Sequence, residues 1–430
     1  MDHSTAVTIL LGTFLTLLVL RVPVCFCLGL SSVVAGIYCN IQLPMLAQSM
    51  VRAINSFSLL AIPFFILCGE IMNEGGMSQR MINLANAIIG RFRGGLALVN
   101  VLSSTFFGGI SGSSVADTSS TGAVLIPMMV KKGYDPDYSV AVTITSSIQG
   151  ILIPPSHNMI IYSLVAGGVS VSTMFMAGLV PGLILGAGIM VTTYIIAVKR
   201  GYPVGEKTTA AQKLKAVKES ILGLFTFVIV VVGVISGLYT ATEAAAVAAL
   251  YAFIITFFVY RDVPLSRMTF ILKRALKTLA IVVALISCSG AFGWMLAYLK
   301  VPAMVTNALL TLSDNPYVIL LVINLILLGL GMIMDMAPLI LITTPILLPV
   351  AKSIGMDPVH FGIVMMLNLG IGLLTPPVGS TLFVGCALGK VTMERMAKTM
   401  VPFYFTMVAA LVLITYVPAV VMTLPRILSQ

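Results

Sequence analysis

The sequence predicts an all-α polytopic membrane protein made of two inverted-topology repeats, each with a re-entrant helical hairpin and a broken transmembrane helix. Three observations predict it. Of 430 residues, 59% are hydrophobic and 9% charged, with a mean hydropathy of +1.10, a composition that cannot keep the surface of a soluble globule wet. Apolar runs close to the length that crosses hydrocarbon recur from Thr5 to Leu424. Two further runs are interrupted by glycine-rich tips, and the sequence matches itself at an offset of 222 residues.

Taken in order, the apolar runs predict spans over 5–20, 22–39, 57–73, 137–166, 172–198, 220–237, 241–258, 278–298, 358–389 and 399–422. The first is read as a span rather than a cleavable signal. It lacks a basic leading segment and a small-residue cleavage site, and a second apolar run follows Arg21 at once. The runs 94–131 and 317–352 are predicted as hairpins. In the first, Gly108-Gly109-Ile110-Ser111-Gly112-Ser113-Ser114 is too polar and glycine-rich for a lipid-facing helix interior. In the second, Gly329 to Pro338 interrupts the run, with Asp335 as its one charge.

With both hairpins re-entrant, 20 of the 24 Lys and Arg residues fall on one face, including the clusters Lys199 to Lys218 and Arg261 to Lys277. Only Arg52, Lys300, Lys352 and Arg426 fall on the other, so the first face is cytoplasmic and both termini are outside. The net charge of +10 is thus topological. No basic stripe interleaved with aromatics points to nucleic acid. Six scattered cysteines and three isolated histidines form no disulfide framework or metal set.

At the offset of 222, Pro127, Gly133, Asp135 and Pro136 align with Pro349, Gly355, Asp357 and Pro358 without a gap. Gly150 falls on Gly372, Pro154-Pro155 on Pro376-Pro377, and Gly167 on Gly389. The first hairpin opens from the cytoplasm and the second from outside, so the copies have opposite orientation. That is the architecture of secondary transporters. The first repeat is 1–199, with hairpin 94–131 and broken helix 137–166. A cytoplasmic amphipathic linker, 200–219, leads to the second repeat, 220–430, with hairpin 317–352 and broken helix 358–389.

Each repeat pairs a polar tip with a helix broken at a Pro-Pro pair, which removes backbone donors and frees carbonyls. At membrane depth such backbone is tolerated only where it is buried in protein or lines a cavity, and freed carbonyls with hydroxyls are hard ligands suited to sodium. One cation site is expected at each contact: Ser111, Gly112, Ser113 and Asp117 with Gly150 and Pro154, then Gly331, Asp335 and Thr344 with Gly372, Thr375 and Pro376. Asp117 and Asp335 could equally cap the helices that begin at the tips. An organic substrate would bind between the sites, with Ser114, Ser156, Asn158, Ser380 and Thr381 as donors. No Arg or Lys is expected at mid-membrane depth, so charge recognition rests on hydroxyls, amides and helix dipoles. Glu243, after Thr240, is expected to cap a helix, Glu70 to sit near the interface and Trp294 to pack.

The segments GISGSSVAD at 109–117, TATEAAAVA at 240–248 and LTPPVG at 374–379 resemble the signatures of the large membrane subunit of tripartite ATP-independent periplasmic (TRAP) transporters. The resemblance runs over essentially the whole chain. It implies an elevator-type fold like that of the ion-transporter superfamily, a small four-helix membrane subunit and a periplasmic substrate-binding protein as partners, and sodium as the coupling ion. The setting it implies is the bacterial inner membrane, with membrane lipid around the chain and both termini periplasmic. Sialic acid is the first substrate expected and a C4-dicarboxylate the second. A stand-alone sodium/dicarboxylate symporter of related architecture is the rival reading. No nucleophile–base–orienter set points to an enzyme and no continuous polar pore to a channel.

Overall fold

A computed structural model describes residues 3–205 and 208–428, apart from the side chains of residues 3, 110 and 111. Among the described residues the chain is helical, the one β-bridge joining Arg93 to Val204. Among the described residues, seven helices are long and apolar enough to cross a membrane.

An outer frame is formed by His3–Val19, Val24–Tyr38, Leu43–Ile54, Ala61–Glu74, Ala241–Ile254 and Met268–Tyr298. Ala61–Glu74 and Ala241–Ile254 approach closely because the facing positions Ala244, Ala245, Ala248, Ala249 and Ala252 are small and buried. Cys68 donates its thiol to the Ala248 carbonyl at 3.6 Å across this contact.

At the centre lie Pro136–Ser147 continuing into Gln149–Leu152, and Pro358–Gly372. Every residue from 137 to 156 and from 359 to 374 is buried. Pro358–Gly372 is largely apolar, whereas the buried hydroxyls of Thr143, Thr145, Ser146 and Ser147 in the first helix are satisfied by backbone carbonyls one turn back; the two helices form the middle of the molecule, with Gly370 against Ile148 and Ile151. Each is followed by a break and a short helix, His157–Ala166 in one case and Ser380–Gly389 in the other. Each hairpin is a pair of helices, Gly95–Ser111 with Ser114–Lys131, and Pro316–Gly331 with Met336–Ser353.

The packing repeats with the sequence. Ser113 and Asp335, 222 residues apart, are the N-caps of the second hairpin helices. Asp135 and Asp357 stand at the N-caps of the central helices. The halves are also cross-packed: His157–Ala166 lies against Met336–Ser353, and Ser380–Gly389 against Ser114–Lys131.

The elements differ from the sequence expectation in four places. Leu43–Ile54, Met77–Ile89 and Val301–Leu312 are additional short helices. The first two carry a polar face that lowers their average hydropathy below that of a span. The 200–219 linker is not a helix of its own. Its first residues loop back, with Pro203 accepting from the Gly94 amide, and a Thr209–Gln212 capping box then starts one continuous helix, Ala210–Ile235. The predicted span 278–298 begins ten residues earlier, at Met268. The run 399–422 divides into Met393–Tyr416 and Pro418–Leu428. Pro418 has no amide to give Ile414, and the freed Ile414 carbonyl meets His360 Nε2 at 2.7 Å instead.

Candidate functional site

The first hairpin tip is pressed against the first break. Gly108 and Gly150 touch backbone to backbone: a Cβ on Gly108 would lie 2.5 Å from Gly150 Cα, and one on Gly150 would lie 2.9 Å from Gly108 Cα. Gly112, at φ +61°, ends the hairpin's first helix in a left-handed conformation. A side chain there would also stand 2.7 Å from the Pro155 carbonyl oxygen. Ser113 accepts the Ala116 amide as N-cap of the next helix. Pro154 and Pro155 are joined by a cis peptide bond, and the Pro154 carbonyl oxygen faces Gly109. The side chain of Ser111 lies outside the described residues.

The second tip repeats the arrangement. A Cβ on Gly372 would lie 2.5 Å from Gly331 Cα. Pro376-Pro377 is again cis. Thr375 donates to the Ile371 carbonyl at 2.8 Å, while its own carbonyl oxygen faces Gly379. Asp335 caps Met336–Ser353 by accepting the Met336 amide at 2.9 Å, and Ser380 donates to the same oxygen at 3.4 Å.

Two expected ligands stand apart from these contacts. Asp117 is buried one turn into its helix, where Thr121 donates to it at 3.0 Å and its second oxygen has no hydrogen-bond partner. Thr344 is nine residues beyond Asp335, about 13 Å along the helix axis. It donates to the Met365 sulfur at 3.5 Å, so the structure does not bring it to the second tip.

Of the substrate candidates, Ser114 and Thr381 are in contact, Ser114 and Asn158 line one cavity, and Ser156, Ser380 and Thr381 are not among its lining residues. Ser114 meets Ser147 at 2.6 Å and Thr381 at 3.1 Å, a direct hydrogen bond between the halves. The Ser156 hydroxyl and Asn158 Oδ1 are buried without partners. A cavity of ≈ 480 Å³ runs between the two tips and the frame, lined by Ser113, Ser114, His157, Asn158 and Asp335 on one wall and by Glu70, Asn73 and Arg274 on the other. A roomier crevice of ≈ 600 Å³ near Asn86, Tyr134 and Lys215 holds no tip or break residue.

Arg274, expected in a cytoplasmic loop cluster, lies instead within Met268–Tyr298, whose packing on Ala61–Glu74 puts it and Glu70 in the cavity wall, 3.1 Å apart. Sequence reasoning also left His157 unassigned. Its position beside the Pro-Pro break was the available signal. Glu243 does cap its helix, in a capping box with Thr240, and Trp294 stacks on Tyr298.

The donors suit a hard cation. Carbonyl and hydroxyl oxygens, with Asp335, converge at the tips, and among the described residues no group of His, Cys, Asp and Glu could hold a transition metal. Outside the membrane, the Tyr202 hydroxyl at 2.6 Å and Arg200 at 2.8 Å hold Asp135 below the usual carboxylate range.

The family model described as "Tripartite ATP-independent periplasmic transporter, DctM component" matches residues 11–420. Among curated proteins, "Uncharacterized protein YgiK" of Salmonella typhimurium is 40% identical over 100% of this chain and 99% of its own length. "Sialic acid TRAP transporter large permease protein SiaM" of Vibrio cholerae is 39% identical over 89% of each chain. "C4-dicarboxylate TRAP transporter large permease protein DctM" of Rhodobacter capsulatus is 36% identical over 98% of this chain and 99% of its own. Among solved structures, the YdaH transporter of Alcanivorax borkumensis superposes with a TM-score of 0.62 at 13% identity, covering 87% of this chain and 88% of that one. This last likeness is one of fold.

Proposed function

The chain belongs to the DctM component family of tripartite ATP-independent periplasmic transporters, as a large permease for organic acids and not an enzyme, and from that premise we propose a sodium-coupled importer working by an elevator mechanism. The observation that carries the reading is the doubled contact of a glycine-rich tip with a Pro-Pro break around one shared cavity. Gly112, Ser113, Gly150 and Pro154 would hold one sodium ion; Gly331, Asp335, Gly372, Thr375 and Pro376 would hold another. Ser114, Ser156, Asn158, Ser380 and Thr381 would receive the substrate between them.

In this reading the two halves are inverted repeats. Hairpins and broken helices move as a block against the frame, carrying the cavity across the bacterial inner membrane, with both termini periplasmic. A small four-helix membrane subunit and a periplasmic binding protein complete the transporter. Relatives are named for sialic acid, C4-dicarboxylates and 2,3-diketo-L-gulonate, and an organic anion as cargo is carried over from them. Sialic acid is the first candidate and a C4-dicarboxylate the second.

The test is uptake into proteoliposomes of this chain with its small subunit, with and without the binding protein, under an inward sodium gradient. Accumulation that needs both the binding protein and the gradient is the expected result. Accumulation with sodium alone would replace the tripartite reading with a stand-alone symporter.

A further inference from the structure

The cavity between the tips carries an unbalanced charge. Glu70 and Asp335 contribute carboxylates to its lining, and Arg274 is the one cation among the described residues that line it. An organic anion entering there meets like charge from both sides unless a cation compensates.

Arg274 is held, but not saturated. Its Nε lies 3.1 Å from Glu70 Oε2, and its Nη1 lies 3.7 Å from Glu74 Oε2, which is beyond hydrogen-bond length. Both acids belong to one frame helix, Ala61–Glu74, four residues apart. A guanidinium presents five donors in a rigid fork, and neither contact uses Nη2. The side chain is 44% exposed, and it also lines an adjoining recess with Asn73, Ser119 and Ser120.

We propose that Arg274 recognises the carboxylate of the transported acid, exchanging Glu70 and Glu74 for a forked pair with the ligand. The inference rests on the transport reading above and names the residue that selects for an anion within it. A planar fork matches a carboxylate in two parallel hydrogen bonds, whereas the present contacts offer one good bond and one long one. On binding, Glu70 loses its cation while Glu74 keeps only the longer contact to Arg267 at 3.9 Å, and the two acids face each other at helical i, i+4 spacing with less compensation, which is unfavourable. They therefore act as an internal competitor. They keep affinity moderate and recover Arg274 when the acid leaves, so the site does not trap its cargo.

The test uses the detergent-purified complex of this chain with its small subunit, without the binding protein, so that recognition by the soluble partner does not enter. Calorimetric dissociation constants are measured for N-acetylneuraminate and succinate and for their uncharged amides. Whichever acid the wild type binds should bind about ten- to hundredfold more weakly to Arg274→Gln, with Arg274→Lys between, because charge-assisted hydrogen bonds are lost. The preference for acid over amide should fall by the same factor, which a merely structural role would not move. Glu70→Gln should tighten acid binding by removing the competitor. Should Arg274→Gln fail to accumulate, Glu70→Gln carries the test alone: tighter acid binding upholds the proposal, and unchanged or weaker binding overturns it. Unaltered acid-to-amide preference in Arg274→Gln, alongside sodium-driven uptake by the wild type, overturns this assignment and leaves the transport reading standing. A wild type that neither binds nor takes up either acid removes both.

Discussion

Replacing Gly372 by alanine would put a methyl carbon 2.5 Å from Gly331 Cα, 2.6 Å from its carbonyl carbon and 2.9 Å from its oxygen. Non-bonded carbons rest about 3.5–4.0 Å apart, so the hairpin and the break must separate by roughly 1 Å. All three obstructing atoms are backbone, and no rotamer change relieves them. Overpacking of this kind costs about 1–3 kcal/mol. Alanine returns up to about 1 kcal/mol through its higher helix propensity, leaving a net loss of up to about 2 kcal/mol when that return is complete. Gly329→Ala, two residues away, meets nothing within 4 Å and is the matched control. Gly331→Ala should fall between, because its methyl would lie 3.1 Å from Gly372 Cα. Thermal unfolding of the purified complex measures the stability term. Uptake against sodium concentration measures the site, where the half-saturating concentration should rise about tenfold if 1.4 kcal/mol of cation binding is lost. If Gly372→Ala matches Gly329→Ala in both measurements, the close approach of tip and break neither holds the fold nor shapes an ion site.

Asp335→Asn should flatten the sodium dependence of uptake, and an unchanged sodium curve would remove Asp335 from the second site. Cysteines at Lys213 and Ser313, both at surface positions, should react with impermeant maleimide from opposite sides of the membrane; labelling from one side would sink the topology. Asp135 is held below the usual carboxylate range first by Tyr202 and then by Arg200, so its contribution is present above the unfolded carboxyl pKa and is lost as pH falls through the lowered folded value. Asp135→Asn should therefore melt below wild type at neutral pH, with the gap closing on acidification. A gap independent of pH would assign the loss to packing alone.

Much of the candidate site was legible because its chemistry interrupts a simple background. In a chain this apolar, Gly108–Ser114, Gly329–Asp335 and the two Pro-Pro pairs are the places where backbone cannot face lipid, and the structure puts each tip on its break. The N-caps at Ser113 and Asp335 follow from residue type. Thr344 was misplaced because helix rise was not carried past the first turn, whereas Asp117 lies one turn into its helix with one carboxylate oxygen taken by Thr121. Arg274 and Glu70 were beyond reach of any one-dimensional reading. One lies in a basic cluster and the other ends a span, and their meeting is a fact of how two frame helices pack. The short amphipathic helices Leu43–Ile54 and Met77–Ile89 escaped for the opposite reason: each gathers its polar residues on one face, Gln48, Ser49 and Arg52 in the first, so averaging over a span-length window erases them.

The cross-packing of the halves sets an order on biosynthesis. The second helix of the first hairpin, Ser114–Lys131, is covered by Ser380–Gly389, so its partner is made some 250 residues later. Until the ribosome has passed residue 389, the nascent first half holds a hairpin with one flank open and the Ser114 hydroxyl lacking Thr381. A chain stopped after its first half would hold Gly112, Ser113, Gly150 and Pro154 but lack the Thr381 hydroxyl beside Ser114 and the helix that covers Ser114–Lys131.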